Sequence, residues 1–185
     1  MHIDLLLESS DGIIFGAHKA NLEQFSAGFP IAEATNSDNE VVTLSENGSV
    51  LRLILQLMHN TRQPDLRTIK FRTLELLAEA VEKYMIFSAM QVCKLCMELS
   101  FIHLIPLSLP ELTQLFLRKC LNIYPLEVFL YAVKHDYGEL ADKTAPSLIR
   151  TPLEKFVEHT TAAGLPASTV VQFVSHGFRY DWALL

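Results

Sequence analysis

The sequence predicts an α+β protein that is mostly helical: a small three-stranded N-terminal sheet covered by a cluster of helices, then an all-α extension. Three observations lead there. Leu5–Leu7 and Ile13–Phe15 are short apolar runs joined by the polar turn Glu8-Ser9-Ser10-Asp11-Gly12, and Asp-Gly supplies the positive φ that a tight hairpin needs. Val41–Leu44 is a short β-branched run that suits a third strand pairing with the hairpin. Most of the remaining chain repeats apolar residues at helical spacing between capping signals.

The elements follow in order. Ala17, Ala20, Leu22, Phe25 and Phe29 fall on helical spacing, and Pro30 ends that helix or opens a short second one through Glu33. Thr35–Glu40 is a polar loop. Ser49–His59 is the most apolar helix, with only Arg52 and Gln56 as a polar stripe, and Asn47-Gly48-Ser49 forms the turn into it. Each of its buried side chains contributes roughly 1.5–3 kcal/mol, so it is expected at the centre of the core, where Leu53→Asp or Ile54→Asp would unfold the domain.

Asn60–Lys70 reads as a polar, basic loop, and Thr73–Tyr84 as an amphipathic helix with Leu74, Leu77, Val81 and Tyr84 on one face. Ser88-Ala-Met-Gln91 is a capping box that predicts a helix from Ala89 to about Leu99. Further on, Ser108-Leu-Pro-Glu111 opens a helix through Leu121, and Pro125–His135 forms another that stops near Gly138. Glu139–Ile149 is helical in composition, with Pro146 expected to end or kink it. Thr151-Pro152-Leu-Glu154 combines a capping box with proline at the first helical position, Gly164 ends that helix, and Ser168–Ser175 is a last short one.

Composition excludes several classes of function. With 185 residues, 50% hydrophobic and 19% charged, the chain can bury a sizeable core and does not have the composition of a disordered protein. A net charge of −6 argues against nucleic acid as a partner, since phosphate binding needs clustered Lys and Arg. Three cysteines make no disulfide framework. The uncharged run between Glu98 and Glu111 falls short of the ~18–20 apolar residues of a membrane helix, and no signal peptide opens the chain. The expectation is an intracellular protein, cytoplasmic or nuclear, away from membranes.

No nucleophile elbow, P-loop or dinucleotide fingerprint occurs, so an enzyme is not expected, nor a cofactor. The seven histidines show no metal-ligand spacing; His18 reads as a helix-start packing residue, and His59, His135, His159 and His176 suit helix C-termini. Cys93 and Cys96 form a C-x-x-C that His103 and Cys120 would complete to four ligands. Mid-helix and without a second C-x-x-C, it reads foremost as buried core, with a metal or redox protein as the rival class.

The series Asp4, Asp11-Gly12, Phe15, His18-Lys19, Leu22, Ser26 and Phe29 resembles the opening of the BTB/POZ domain family, at that family's spacing. Leu77–Ile86 (L-A-E-A-V-E-K-Y-M-I) is similar to the family's A-x-K-Y-x-h step between its last two helices, and Gln91–Met97 to the helix after it. Residues 125–141 look like the helical extension of many fungal BTB-domain proteins. The resemblance implies a BTB/POZ-like domain over residues 1–99 and a helical extension over 100–185. Residues 100–120 have no counterpart in it and stand as an insertion or a gene-model artefact.

It also implies a function: a non-enzymatic protein–protein interaction module, scaffold or adaptor, binding other proteins or a second copy of itself. Only Met1, His2 and Ile3 precede Asp4, so the strand that family dimers exchange is not expected, and a weak dimer or monomer is. Asp4 and Lys19 stand where the family has a facing charged pair, with a simple strand-to-helix tie as the equal alternative. Arg62, Arg67, Lys70 and Arg72 form a basic stretch suited to an acidic partner. The alternative function is a substrate adaptor of a cullin-type ubiquitin ligase, whose scaffold contacts the loop after the central helix. Here His59-Asn60-Thr61 replaces the common Tyr-Thr-Gly turn, and the hydrophobic-x-Glu adaptor motif is not seen.

Overall fold

Strand β1 (Leu5–Glu8) pairs antiparallel with β2 (Ile14–Ala17), Leu7 opposite Phe15, so β1 ends at Glu8, just past its apolar run, while β2 begins after Ile13 and extends beyond Phe15 to Ala17. In this computed structural model residues 3–29, 41–99, 124–148, 151–168 and 171 are described. The turn is built on Ser9, whose hydroxyl donates to Asp11 Oδ1 (2.6 Å) and accepts from the Ile13 N–H (3.0 Å). Gly12 sits at φ +77, the left-handed region that Asp-Gly predicts. β3 (Val41–Thr43) joins the other side of β1 in parallel, giving the order β2-β1-β3. Leu5, Leu7 and Ala17 face the core, while Leu6, Glu8, Ile14 and Gly16 face outward.

Helix α1 (Lys19–Phe25) is shorter than its apolar spacing predicts. Ala17 stays in β2, Phe29 lies past the end, and of the helix itself only Leu22 is buried. The cause is tertiary: Ser26 Oγ and the Gly28 N–H both donate to the Tyr84 carbonyl, at 2.6 and 3.0 Å, drawing the chain off the helical path. A Cβ on Gly28 would come within 3.0 Å of the Lys83 carbonyl oxygen, so only glycine allows this approach. Phe29 then stacks on Tyr84, with ring centroids 4.6 Å apart.

Helix α2 (Gly48–Met58) begins at an Asn47 cap, whose side chain accepts the Val50 N–H at 3.0 Å. Val50, Leu51, Ile54, Leu55 and Met58 are buried, but Leu53 and Leu57 are half-exposed, so the core face is narrower than the composition suggests. The loop to α3 contains one 3-10 turn, Leu66–Thr68, that the loop expectation did not include; it buries Leu66 and is capped by Asp65. Helix α3 (Phe71–Lys83) packs against α2 and against α4 (Phe87–Leu99). α4 starts before Ser88, so the predicted capping box does not form: Ser88 lies in the first turn, and Ile86 already receives the first helical bonds.

The chain divides into two compact units, Met1–Ser100 and Phe101–Leu185. In the second, α5 (Pro125–Lys134), α6 (Gly138–Leu148) and α7 (Leu153–Ala162) bury Leu126, Phe129, Leu130, Ala145, Leu148 and Phe156 together. Two expectations are corrected here. Gly138 opens α6 rather than stopping α5, which ends instead on Asp136 at φ +58. α6 also continues past Pro146 to Leu148; the proline is exposed with its freed acceptor on the exposed Asp142, so water can take over the lost bond. Pro152, not Thr151, occupies the cap position of α7, and Gly164 at φ +68 ends that helix as expected. Pro30–Glu33, Thr35–Glu40, Ser108–Leu121 and most of Ser168–Ser175 fall outside the described residues, as do His103, Cys120 and His176.

Candidate partner-binding surface

Asp4 and Lys19 do come together, through the backbone: Asp4 Oδ1 accepts the Lys19 N–H at 2.8 Å. Lys19 is the first residue of α1 and His18 its cap position, where no side chain of the helix itself caps, so Asp4 supplies the acceptor from the neighbouring strand. Asp4 is exposed, so the energy of breaking a buried ion pair does not apply to it. Asp11 repeats the arrangement on α2, taking the Gly48 N–H at 2.7 Å. Hydrogen bonds from Ser9 and Gly48 hold the Asp11 carboxyl below its usual range. Both aspartates of the hairpin thus cap helices that follow.

The basic stretch divides in two. Arg67 forms a two-pronged pair with Asp65 (2.8 and 2.9 Å), and Arg72 pairs with Glu75 at 2.6 Å. Arg62 and Lys70, by contrast, make no ion pair to a described residue. Arg62 and Lys70 are both exposed.

Sequence reasoning missed two features. The first is a cluster around Glu46, ahead of α2: Lys83 Nζ donates to Glu46 Oε1 (2.9 Å) and Ser45 Oγ (2.7 Å), and the Tyr84 hydroxyl donates to Glu46 Oε2. Burial pushes the Glu46 carboxyl up, but the bonds from Lys83, Tyr84 and Ser45 outweigh it and leave it below 4.5. Burial and the Glu46 carboxylate together push the Tyr84 phenol far above its usual 10.0. Nothing local in the sequence marks Glu46, because its partners lie 37 and 38 residues away.

The second is the outer face of α4, where Phe87, Val92 and Leu95 are 64%, 42% and 52% exposed. Their spacing opposite the buried Ala89, Cys93 and Met97 would have been readable on a helical wheel. Apolar side chains of this size grouped on one helix face favour contact with another protein.

His18 Nδ1 lies 3.2 Å from His59 Nε2, tying the start of α1 to the end of α2. His59 Nδ1 is 2.6 Å from the Leu55 carbonyl and therefore carries the proton, so His59 accepts from His18. Cys93 and Cys96 are buried on the core side of α4, where burial pushes the Cys93 thiol up to about 12 and raises Cys96 as well. Such thiols stay protonated at neutral pH, unlike an activated nucleophile. Among the described residues no group of three or more metal-ligating side chains occurs, and no helix is long and apolar enough to cross a membrane. Comparison with protein-family models and with curated proteins produced no match.

Proposed function

We propose that this chain is a BTB/POZ-type protein–protein interaction module, a non-enzymatic scaffold or adaptor that works inside the cell. The observation that supports it is the way residues far apart in the resemblance serve one another. Asp4 and Asp11 cap α1 and α2, while Ser26, Gly28 and Phe29 seat on Lys83-Tyr84. Members this interdependent support reading the motif as one structural framework. The exposed α4 face, and Arg62 and Lys70, which make no ion pair to a described residue, are the surfaces on which a partner would bind.

The test is capture of partners by the full-length chain from its native cell, compared with Leu95→Asp and with Arg62→Glu/Lys70→Glu. A partner retained by the wild type and lost with either variant supports the reading. Identical capture by all three, with folding confirmed by circular dichroism, counts against it. The narrower adaptor reading rests on the exposed basic loop after α2; absence of a complex with purified cullin scaffolds would remove it.

A further inference from the structure

Where the start of α1 meets the end of α2, the two rings of His18 and His59 have few places for hydrogen. His18 Nδ1 and His59 Nε2 lie 3.2 Å apart, so these facing atoms share one hydrogen between them. His59 Nδ1, 2.6 Å from the Leu55 carbonyl, carries another. The remaining nitrogen, His18 Nε2, is buried and meets no hydrogen-bond partner among the described residues. Two neutral imidazoles bring one hydrogen each, and these fill every position that has an acceptor. A further hydrogen, which either ring must take up to become charged, has only His18 Nε2 left. Protonating His59 leads to the same place, because a hydrogen on its Nε2 displaces that of His18 from Nδ1 to Nε2.

The surrounding charges do not relieve this conflict. On the elements that meet here they are Asp4 ahead of β1, Lys19 and Glu23 in α1, Arg52 in α2, and Arg62 just beyond it; β2 carries none. In α3, which packs on α2, Arg72 and Glu75 hold each other and Lys83 holds Glu46. Among the described residues no charged side chain forms an ion pair or hydrogen bond with either ring, and the Asp4 carboxylate takes the Lys19 N–H instead. A buried charged donor left without an acceptor costs more than one hydrogen bond contributes.

We infer that the His18–His59 contact is an acid-released latch, closed while both rings are neutral and opened by the proton that the closed contact cannot place. The start of α1 is the part that yields. This helix has seven residues and buries only Leu22, and its far end is anchored separately by Ser26 on the Tyr84 carbonyl. Opening turns the His18 ring out to water, where an imidazole ordinarily takes its proton near pH ~6.5. The open form binds more protons than the closed one, so closure is complete above that pH and is lost as pH falls through it. From about pH 7.5 to about 5.5 the opening equilibrium rises about tenfold if one ring becomes charged, and about a hundredfold if both do. The inference goes beyond the partner-binding reading and does not rest on it.

Amide hydrogen exchange of the full-length chain, corrected for its intrinsic pH dependence, tests the latch. The Lys19, Asn21 and Leu22 amides bond to Asp4 and to the His18 carbonyl; the Ser9 and Leu44 amides bond within the hairpin and from β1 to the end of β3. The first three are expected to lose protection about tenfold to a hundredfold between about pH 7.5 and 5.5, while Ser9 and Leu44 keep theirs. His18→Asn retains a donor for His59 Nε2, lacks the buried nitrogen, and can turn its amide to accept once His59 is charged. With its fold confirmed by circular dichroism, its protection is expected to change less than about twofold over that range. Nitrogen NMR of the wild-type rings at neutral pH adds a readout independent of mutation, with hydrogen expected on Nδ1 of both. Wild-type protection that ignores pH, an equal loss in His18→Asn, or a hydrogen on His18 Nε2 at neutral pH overturns the proposal. The partner-capture experiment uses other residues, so the two can fail separately.

Discussion

Tyr84 is the residue on which the first unit depends most visibly. Its carbonyl receives Ser26 and Gly28, its ring stacks on Phe29, and its hydroxyl donates to Glu46. Tyr84→Phe removes only the last of these and leaves a largely buried carboxylate short of a donor, so we expect a loss of about 1–3 kcal/mol in urea unfolding. The same cluster sets the pH dependence. Glu46 and Asp11 titrate below their usual 4.5 and 3.8 in the folded protein, so their contribution is present above those values and is lost as pH falls through them. Tyr84 titrates above its usual 10.0, so its contribution is complete below that pH and is lost as pH rises beyond it. Stability should therefore fall at both ends. Glu46→Gln should flatten the acid limb near pH 4.5 in melts across the range; an unchanged limb would show that the cluster does not govern it.

At the scale of elements, helix ends account for most of the difference between expectation and structure. α3, α5 and α7 all close in the same way: residues Met85, Asp136 and Gly164 take positive φ, and the next N–H bonds back to a carbonyl five residues earlier, as in Ile86 to Val81. Glycine fits this position, aspartate tolerates it, and methionine pays in backbone strain. Met85→Gly is expected to raise stability by up to about 1 kcal/mol, read as a higher denaturation midpoint with unchanged slope. The two neighbours in α2 separate cleanly. Ile54 has no exposure and Leu53 is half-exposed, so Ile54→Ala should cost about 2–4 kcal/mol and Leu53→Ala clearly less. Gly164 was legible as a stop because glycine is the usual residue there; Met85 and Asp136 were not, since neither residue type announces a left-handed turn.

For the whole molecule, the division into Met1–Ser100 and Phe101–Leu185 carries a prediction of its own. The sheet, α1 to α4 and the Glu46 cluster all lie within the first unit. Residues 1–100 expressed alone should unfold in one cooperative step, with fluorescence and circular dichroism transitions coinciding. Separate transitions for sheet and helices would contradict it.

By itself the sequence determined much of the described secondary structure and its order: the Asp-Gly hairpin, the β-branched third strand, the apolar α2 and the described helices of the second unit. These follow from periodicity and turn chemistry within a few residues, which a chain carries locally. Only the tertiary structure decided which residues work together. Asp4 and Asp11 became caps, Ser26 and Gly28 ended α1 on Tyr84, Glu46 acquired Lys83, and Arg67 and Arg72 were paired while Arg62 and Lys70 made no ion pair to a described residue. The reason is physical. A buried or terminal polar group must find a partner wherever the fold brings one, and that partner is set by packing, which no local stretch of residues encodes.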